Sequence, residues 1–170
     1  MRKAILALVC CLAFSVNAHA HTASETKINP SGKTTISANI GSNNINVIVK
    51  AHTVDIGQAG ESSPKEWDTN CTYSRFPCSL VDNVKIFVNK KEIFVPRSVF
   101  ADLADLNSGD IKKSKKGMIL AFTGGDASEA YFVEVTFNTQ QVLMRKLSSA
   151  EFPNNVWEKT IYVNKPIVDK

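Results

Sequence analysis

Histidine, cysteine and the motifs of common enzymes are scarce in this sequence. Its 170 residues include four cysteines and three histidines. The nucleophile motif G-x-S-x-G, the zinc motif H-E-x-x-H, the Walker A loop and the EF-hand loop do not occur in it. These absences argue against an α/β-hydrolase, a zinc protease, a P-loop NTPase and an EF-hand protein.

The hydrophobic runs of membrane-spanning helices are lacking as well. The N-terminal apolar run Ala4–Val16 has 13 residues, whereas a transmembrane helix needs about 20. Two basic residues precede this run, and an A-x-A cleavage pattern ending at Ala20 follows it. Residues 1–20 are therefore predicted to be a signal peptide cleaved near Ala20. We expect residues 21–170 to be a single periplasmic or secreted domain with no stable membrane insertion.

A strong excess of positive charge is missing from the exported part. The chain has 20 lysines and arginines against 16 aspartates and glutamates. Two basic residues and no acidic ones belong to residues 1–20, so 18 minus 16 leaves a net charge of +2. This balance gives no support to nucleic-acid binding.

Two histidines, His21 and His52, remain after removal of residues 1–20. His52 lies beside a predicted strand, and a single histidine in such a place is more often structural than catalytic. His21 would become the N-terminal residue, and no second histidine lies near it in the sequence. The sequence therefore identifies no catalytic residue and no metal or cofactor site, and a protein without enzymatic activity is the favoured expectation.

The sequence does contain many short stretches in which apolar and polar residues alternate. Val84, Ile86 and Val88 form one of them, and a period of two is typical of a half-buried strand. About eight such stretches are separated by polar turns. They predict an all-β fold, or a β-rich α+β fold, built as an antiparallel sandwich or barrel.

The centre of this pattern is a hairpin in residues 84–95. Its turn is either Asn89-Lys90 or Lys90-Lys91. The second register pairs Phe87 with Phe94 across the strands, and aromatic pairs of this kind stabilise a hairpin by about 0.2–1 kcal/mol. The sequence favours the second register for that reason.

One short helix near residues 98–106 is predicted to follow the hairpin. Ser98 can cap this helix after Pro96 has ended the strand. Three apolar residues fall on one helical stripe toward a core, namely Val99, Leu103 and Leu106.

Cys71 and Cys78 are the cysteines that remain in the exported part, and such a pair predicts a disulfide. Their spacing matches neither C-x-x-C nor a zinc site. The loop that they close carries Tyr73, Arg75 and Phe76, residue types that are enriched at binding hot spots. These three residues are the candidate contacts with a partner. The alternative is a stapled surface loop whose aromatic side chains point inward.

Two further segments carry candidate residues. The loop after two glycines contains Asp126, Ser128 and Glu129, which could hold a cation or a sugar hydroxyl, although a plain hairpin connection is the first interpretation. The segment Asp110–Lys116 contains four lysines. It is predicted to be a solvated connection, and the alternative is a patch for an anionic envelope polymer or an acidic partner.

These features predict an exported, non-catalytic binding protein without a cofactor. We expect its partner to be a protein of the cell envelope, which it would bind as an inhibitor or immunity factor for an envelope-directed enzyme such as a cell-wall hydrolase. Two alternatives stay open. One is a hydrolase of an envelope polymer that uses Asp126, Glu129 or Asp102. The other is a protein that binds an envelope glycan or lipid through its lysines.

Overall fold

Ten β-strands make up the fold in the part of the chain that the structure describes. The computed structural model of the protein describes residues 25–57, 71–73 and 75–163. The predicted signal peptide, its cleavage site and His21 lie outside the described residues. The strands are, in chain order, β1 Thr26–Lys27, β2 Gly32–Ile40, β3 Asn43–Val54, β4 Cys78–Val88, β5 Lys91–Ile93, β6 Leu106–Ser114, β7 Gly117–Gly124, β8 Tyr131–Phe137, β9 Val142–Ser149 and β10 Val156–Ile161.

The strands form two antiparallel sheets. One sheet has six strands in the order β1-β6-β7-β8-β9-β10, and the other has four in the order β2-β3-β4-β5. Apart from β1, each sheet is a meander, because the chain completes β2 to β5 before it begins β6 to β10. The predicted all-β sandwich is confirmed.

Alternate residues of both sheets build the core between them. Ile45, Val47 and Val49 of β3 are buried, and so are Val133 and Val135 of β8. Successive side chains of a strand point to opposite faces of the sheet. The alternation that predicted the strands is therefore the alternation that fills the core.

The register favoured for the central hairpin is wrong. The structure pairs Ile86 with Ile93, so the turn is Asn89-Lys90. Both turn residues have positive φ, at 52° and 69°, as in a primed two-residue turn. Asparagine tolerates this conformation, and the Asn89 side chain accepts a hydrogen bond of 2.9 Å from the backbone N–H of Asn44 near the start of β3. These local interactions outweigh the aromatic pair, and Phe94 is left exposed.

The helix predicted near residues 98–106 is replaced by a 3-10 turn, Arg97–Val99, in which Ser98 makes no capping bond. Asp105 has a φ of 49°, which no α-helical residue adopts, and Leu106 already begins β6. An apolar stripe can be buried by a turn as well as by a helix, and the predicted core residues stay buried: Val99, Leu103 and Leu106. No helix in the described ranges has the length and hydropathy needed to cross a membrane.

The segment predicted as a lysine-rich connection is mostly strand. β6 continues to Ser114, and the turn consists of Lys115 and Lys116 alone. Ile111, the one apolar residue among these polar ones, is buried in the core. Burial of this side chain and pairing with β7 hold the segment in the sheet.

The hairpin connections alternate between two ends of the sandwich. At the first, which we call the lysine end, lie the turns 41–42, 89–90, 115–116 and 138–141. These turns contain no aspartate or glutamate. At the second, which we call the disulfide end, lie the described residues between Cys71 and Cys78 and the connections 125–130 and 150–155.

Candidate functional site

The disulfide end is fastened to the sandwich by the predicted bond between Cys71 and Cys78, whose Cα atoms are 5.7 Å apart. Cys78 is the first residue of β4 and is buried. It packs in a small apolar cluster with Ile56 and Ala104. The disulfide prediction is confirmed, and such bonds persist in oxidising compartments.

Asp105 joins the disulfide loop to two other segments, the start of β4 and the loop that begins at Gly125. Its buried carboxylate accepts the N–H groups of Thr72 and Ser79, each at 2.8 Å. Its carbonyl accepts the N–H of Gly125 at 3.1 Å and the guanidinium of Arg75 at 3.3 Å. A buried charge is costly unless it is hydrogen-bonded, so these donors are what make the position of Asp105 stable.

The three candidate contact residues of the disulfide loop take different positions. The side chain of Tyr73 is 53% exposed. Arg75 is half-buried and is held by Asp105, and Phe76 packs against the cluster around Cys78. The loop therefore offers Tyr73 to solvent, whereas Arg75 and Phe76 anchor it.

The loop that carries Asp126, Ser128 and Glu129 lies against the disulfide loop. The carboxylate of Glu129 accepts the N–H of Tyr73 at 3.0 Å. Asp126 caps the 3-10 turn that follows it by accepting a backbone N–H at 2.8 Å, and Ser128 is exposed. Gly125 allows the loop to fold back on itself. Its φ is 70°, and a Cβ there would overlap the carbonyl oxygen of Glu129.

The connection between β9 and β10 completes the exposed surface at this end. The N–H of Ala150 donates to the carbonyl of Ala130 at 3.0 Å, which places the following residues beside the Asp126 loop. Phe152 is 61% exposed there. Sequence analysis selected no contact residue in this segment. We call the combined surface the acidic–aromatic surface: Tyr73, Asp126, Glu129, Glu151 and Phe152.

The acids suggested for a hydrolase all have structural partners. Glu129 and Asp126 hold the backbone as described, and Asp102 forms an ion pair of 2.6 Å with Arg145. The described part of the chain contains no group of three or more histidine, cysteine, aspartate or glutamate residues that could hold a metal ion. The geometry of these carboxylates supports loop structure more than acid–base chemistry.

His52 has a carboxylate partner that sequence analysis missed. Its Nδ1 lies 2.6 Å from Oδ1 of Asp82, and both side chains are about half exposed. A histidine oriented by an aspartate is part of a nucleophilic triad. Among the residues that the structure describes, however, no hydroxyl or thiol is hydrogen-bonded to this ring, so the pair is not a triad there.

Arg145 is a second buried charge that sequence analysis did not select as a site residue. It lies on β9, with Nη2 2.6 Å from Asp102 and Nη1 2.8 Å from Glu158 of β10. The carboxylate oxygen of Glu158 also accepts the hydroxyl of Thr160 at 2.8 Å. The Thr160 hydrogen bond, followed by the charge of Arg145, lowers the pKa of Glu158. A charged residue on the same face of a strand as Leu147, which packs against the core, could have indicated this site.

Tyr131 has a structural role at the same end. Its hydroxyl donates to the carbonyl of Ala104 and accepts the N–H of that residue at 3.2 Å. Burial raises the pKa of the Tyr131 phenol, so the side chain stays neutral at physiological pH. Its ring fills the space above Gly124, where a Cβ would overlap it.

The chain matches no protein-family model, no curated protein and no solved structure. Its function is therefore inferred from its own geometry.

The substitution Asp105→Asn should lower the free energy of unfolding by about 1–3 kcal/mol, because the amide keeps the left-handed backbone but accepts the two N–H groups less well. Asp105→Ala should cost more. Urea unfolding measures both. Asp126→Asn, on an exposed neighbouring carboxylate, is the control and should change the value by less than about 0.5 kcal/mol. Equal effects of Asp105→Asn and Asp126→Asn would contradict the role given to Asp105.

Stability should depend on pH through Glu158. Because the pKa of this group is lowered in the folded state, its contribution is present above the unfolded value of 4.5 and is lost as pH falls through the folded pKa. The difference in unfolding free energy between the wild type and Glu158→Gln should therefore shrink between pH 7 and pH 3. Glu151→Gln controls for the loss of one exposed negative charge. A difference that stays constant with pH would refute the linkage.

Proposed function

We propose that this protein is an exported, non-catalytic binding protein that contacts a protein partner through the acidic–aromatic surface. The observation that carries the proposal is that three loops far apart in the sequence lie side by side at the disulfide end. The disulfide and Asp105 fix the first two of these loops, and the hydrogen bond from Ala150 to Ala130 holds the third. Tyr73 and Phe152 stay exposed on them. A surface that is ordered before binding pays less conformational entropy on association.

The composition of the surface indicates the kind of partner. Aromatic side chains dominate binding hot spots. Three exposed carboxylates accompany them, from Asp126, Glu129 and Glu151, whereas the guanidinium of Arg75 is turned toward Asp105. Complementary charge steers association, so this surface favours a partner with basic residues.

An enzyme that acts on an anionic envelope polymer presents such a basic surface to its substrate. We infer an inhibitor or immunity factor for an envelope-directed enzyme, with a cell-wall hydrolase as the leading candidate. The signal-peptide pattern of residues 1–20 and the disulfide support export to the compartment in which such enzymes act.

Alanine substitutions at Tyr73 and Phe152 should each weaken partner binding by about 10- to 100-fold, the range of hot-spot aromatics. The partner is first captured on the immobilised mature protein from a periplasmic extract and identified by mass spectrometry, and affinities are then measured with the purified pair. Phe94→Ala is the matched control, because Phe94 is 72% exposed and directly follows β5 of the four-stranded sheet. The proposal fails if Phe94→Ala weakens binding as much, or if both test variants bind like the wild type.

A second candidate function is binding of an anionic envelope polymer at the lysine end. A groove of about 390 Å³ lies there between three turns, with Ile40 and Met118 among its lining residues. Lys113 lines it from β6, and Lys115 and Lys116 are exposed on the adjoining turn. Polar side chains also line the groove: Ser42, Asn43, Asn138 and Thr139. Cations beside amides and hydroxyls fit a glycan that carries carboxylate or phosphate groups better than a lipid surface.

The double variant Lys115→Gln/Lys116→Gln should then bind polygalacturonate, a carboxylated glycan, several-fold more weakly than the wild type. Binding should also weaken with added salt, because exposed charges are screened. Retention on an affinity gel measures both effects, with neutral dextran as the control polymer. Lys33→Gln/Lys50→Gln is the control variant, since it removes two exposed lysines from the sheet face. Equal retention of the two variants would rule out this site.

A further inference from the structure

The last strand, β10, is an exposed edge of the six-stranded sheet. Within the described ranges β9 is the strand that pairs with it, and no other does. Five of its six residues are exposed. The free edge offers backbone N–H and C=O groups on which another strand could form.

Large apolar side chains are exposed along this edge. Trp157 is 52% and Ile161 66% exposed, and Val163 beyond the strand is exposed as well. Proteins normally protect an edge strand with charges, bulges or a covering segment, because apolar edges promote pairing between chains. β10 carries a bulge at Trp157, between Val156 and Glu158. Beyond the bulge, Lys159 and Ile161 lie on the outer face of the strand, and Lys159 is the one charge there.

β10 is nevertheless held firmly from inside the sandwich. Glu158 forms an ion pair with the buried Arg145, and the hydroxyl of Thr160 donates to the same carboxylate. The N–H of Tyr162 donates to the carbonyl of Leu143 at 3.0 Å. The inner-face side chains thus anchor β10, whereas its outer face and its second backbone edge have no partner among the described residues. An anchored strand loses little entropy when it pairs with another.

The charge on the outer face defines what could pair with β10. Lys159 lies opposite Lys146 in register, and Lys146 is already paired with Glu134 at 2.7 Å. The six ion pairs among the described residues do not include Lys159. An incoming strand would therefore gain from an acidic residue opposite Lys159 and from an apolar residue two positions away, opposite Ile161.

A second copy of the chain is less suitable as the occupant. Two β10 strands related by a two-fold axis would run antiparallel. The register that places Trp157 opposite Ile161 then places Lys159 opposite its own copy. Like charges directly opposite each other destabilise a strand pair.

We propose that β10 binds an extended segment of another protein by strand addition, and that the segment carries an acidic residue flanked at two-residue spacing by apolar residues. Main-chain hydrogen bonds would supply affinity, and the contacts of Trp157, Lys159 and Ile161 would select the sequence. The inference is independent of the acidic–aromatic surface and holds or fails without it.

The test uses the mature protein and a labelled peptide, acetyl-Thr-Val-Thr-Glu-Thr-Val-Thr-amide, with fluorescence anisotropy as the readout. The wild type should bind it about five- to tenfold more tightly than the peptide with lysine in place of glutamate. Lys159→Glu should invert this preference. Lys113→Glu, an equal charge change on β6, is the control and should leave the preference unchanged.

Two further peptides test whether the backbone edge is used. In an added strand, alternate N–H groups face β10 and the others face solvent. N-methylation of one alternate set should abolish binding, and N-methylation of the other set should be tolerated. Equal effects of the two sets, an unchanged preference in Lys159→Glu, or no binding at about 1 mM peptide would each overturn the proposal.

Sedimentation equilibrium of the protein without peptide tests whether β10 pairs with a second copy of the chain. A monomer agrees with the proposal. A dimer that Trp157→Thr dissociates would show that β10 pairs with itself, and the proposal would then be wrong.

Discussion

The buried carboxylate of Asp105 is the constraint on which the disulfide end depends. A charge taken out of water must be hydrogen-bonded, and its donors come from the disulfide loop and from the start of β4. The same residue holds Gly125 through its carbonyl, so the Asp126 loop is positioned as a consequence. The exposed position of Tyr73 follows from this network, because its own N–H is taken by Glu129. The candidate binding surface is therefore a result of satisfying one buried charge.

The second buried charge, Arg145, holds the last described strand, β10, in the six-stranded sheet. Its two carboxylate partners come from the segment before β6 and from β10. Its Nε has no hydrogen-bond partner among the described residues, so the two ion pairs bear most of its desolvation cost. The molecule thus fixes one exposed surface by hydrogen bonds to a buried carboxylate and the other by salt bridges to a buried guanidinium, whereas its apolar core fixes the sheets. Because lysines gather at one end and carboxylates at the other, the two ends suit partners of opposite charge.

Sequence reasoning was sufficient for what depends on local pattern. Alternation predicted the strands and the sandwich, and the count of cysteines predicted the disulfide. Sequence reasoning failed where the backbone conformation of one or two residues determines the structure. Positive φ at Asn89 and Lys90 sets the hairpin register, and positive φ at Asp105 excludes the predicted helix. Tyr73 and Glu129 were each selected as candidates, but their contact spans 56 positions. No local pattern contains such a contact, and for the same reason Phe152 was missed.

The order of the strands has a consequence for how the chain folds during synthesis. Among the described strands every pair but one joins neighbours in the sequence, so apart from β1 each sheet can form from a contiguous piece of chain at low contact order. The exception is β1, which pairs with β6 from the second half of the described chain. A chain synthesised from its N-terminus can therefore complete the four-stranded sheet early, while β1 pairs with β6 only after the second sheet begins to form. β1 is then among the last of the described strands to be fixed, and it stays accessible until folding is well advanced.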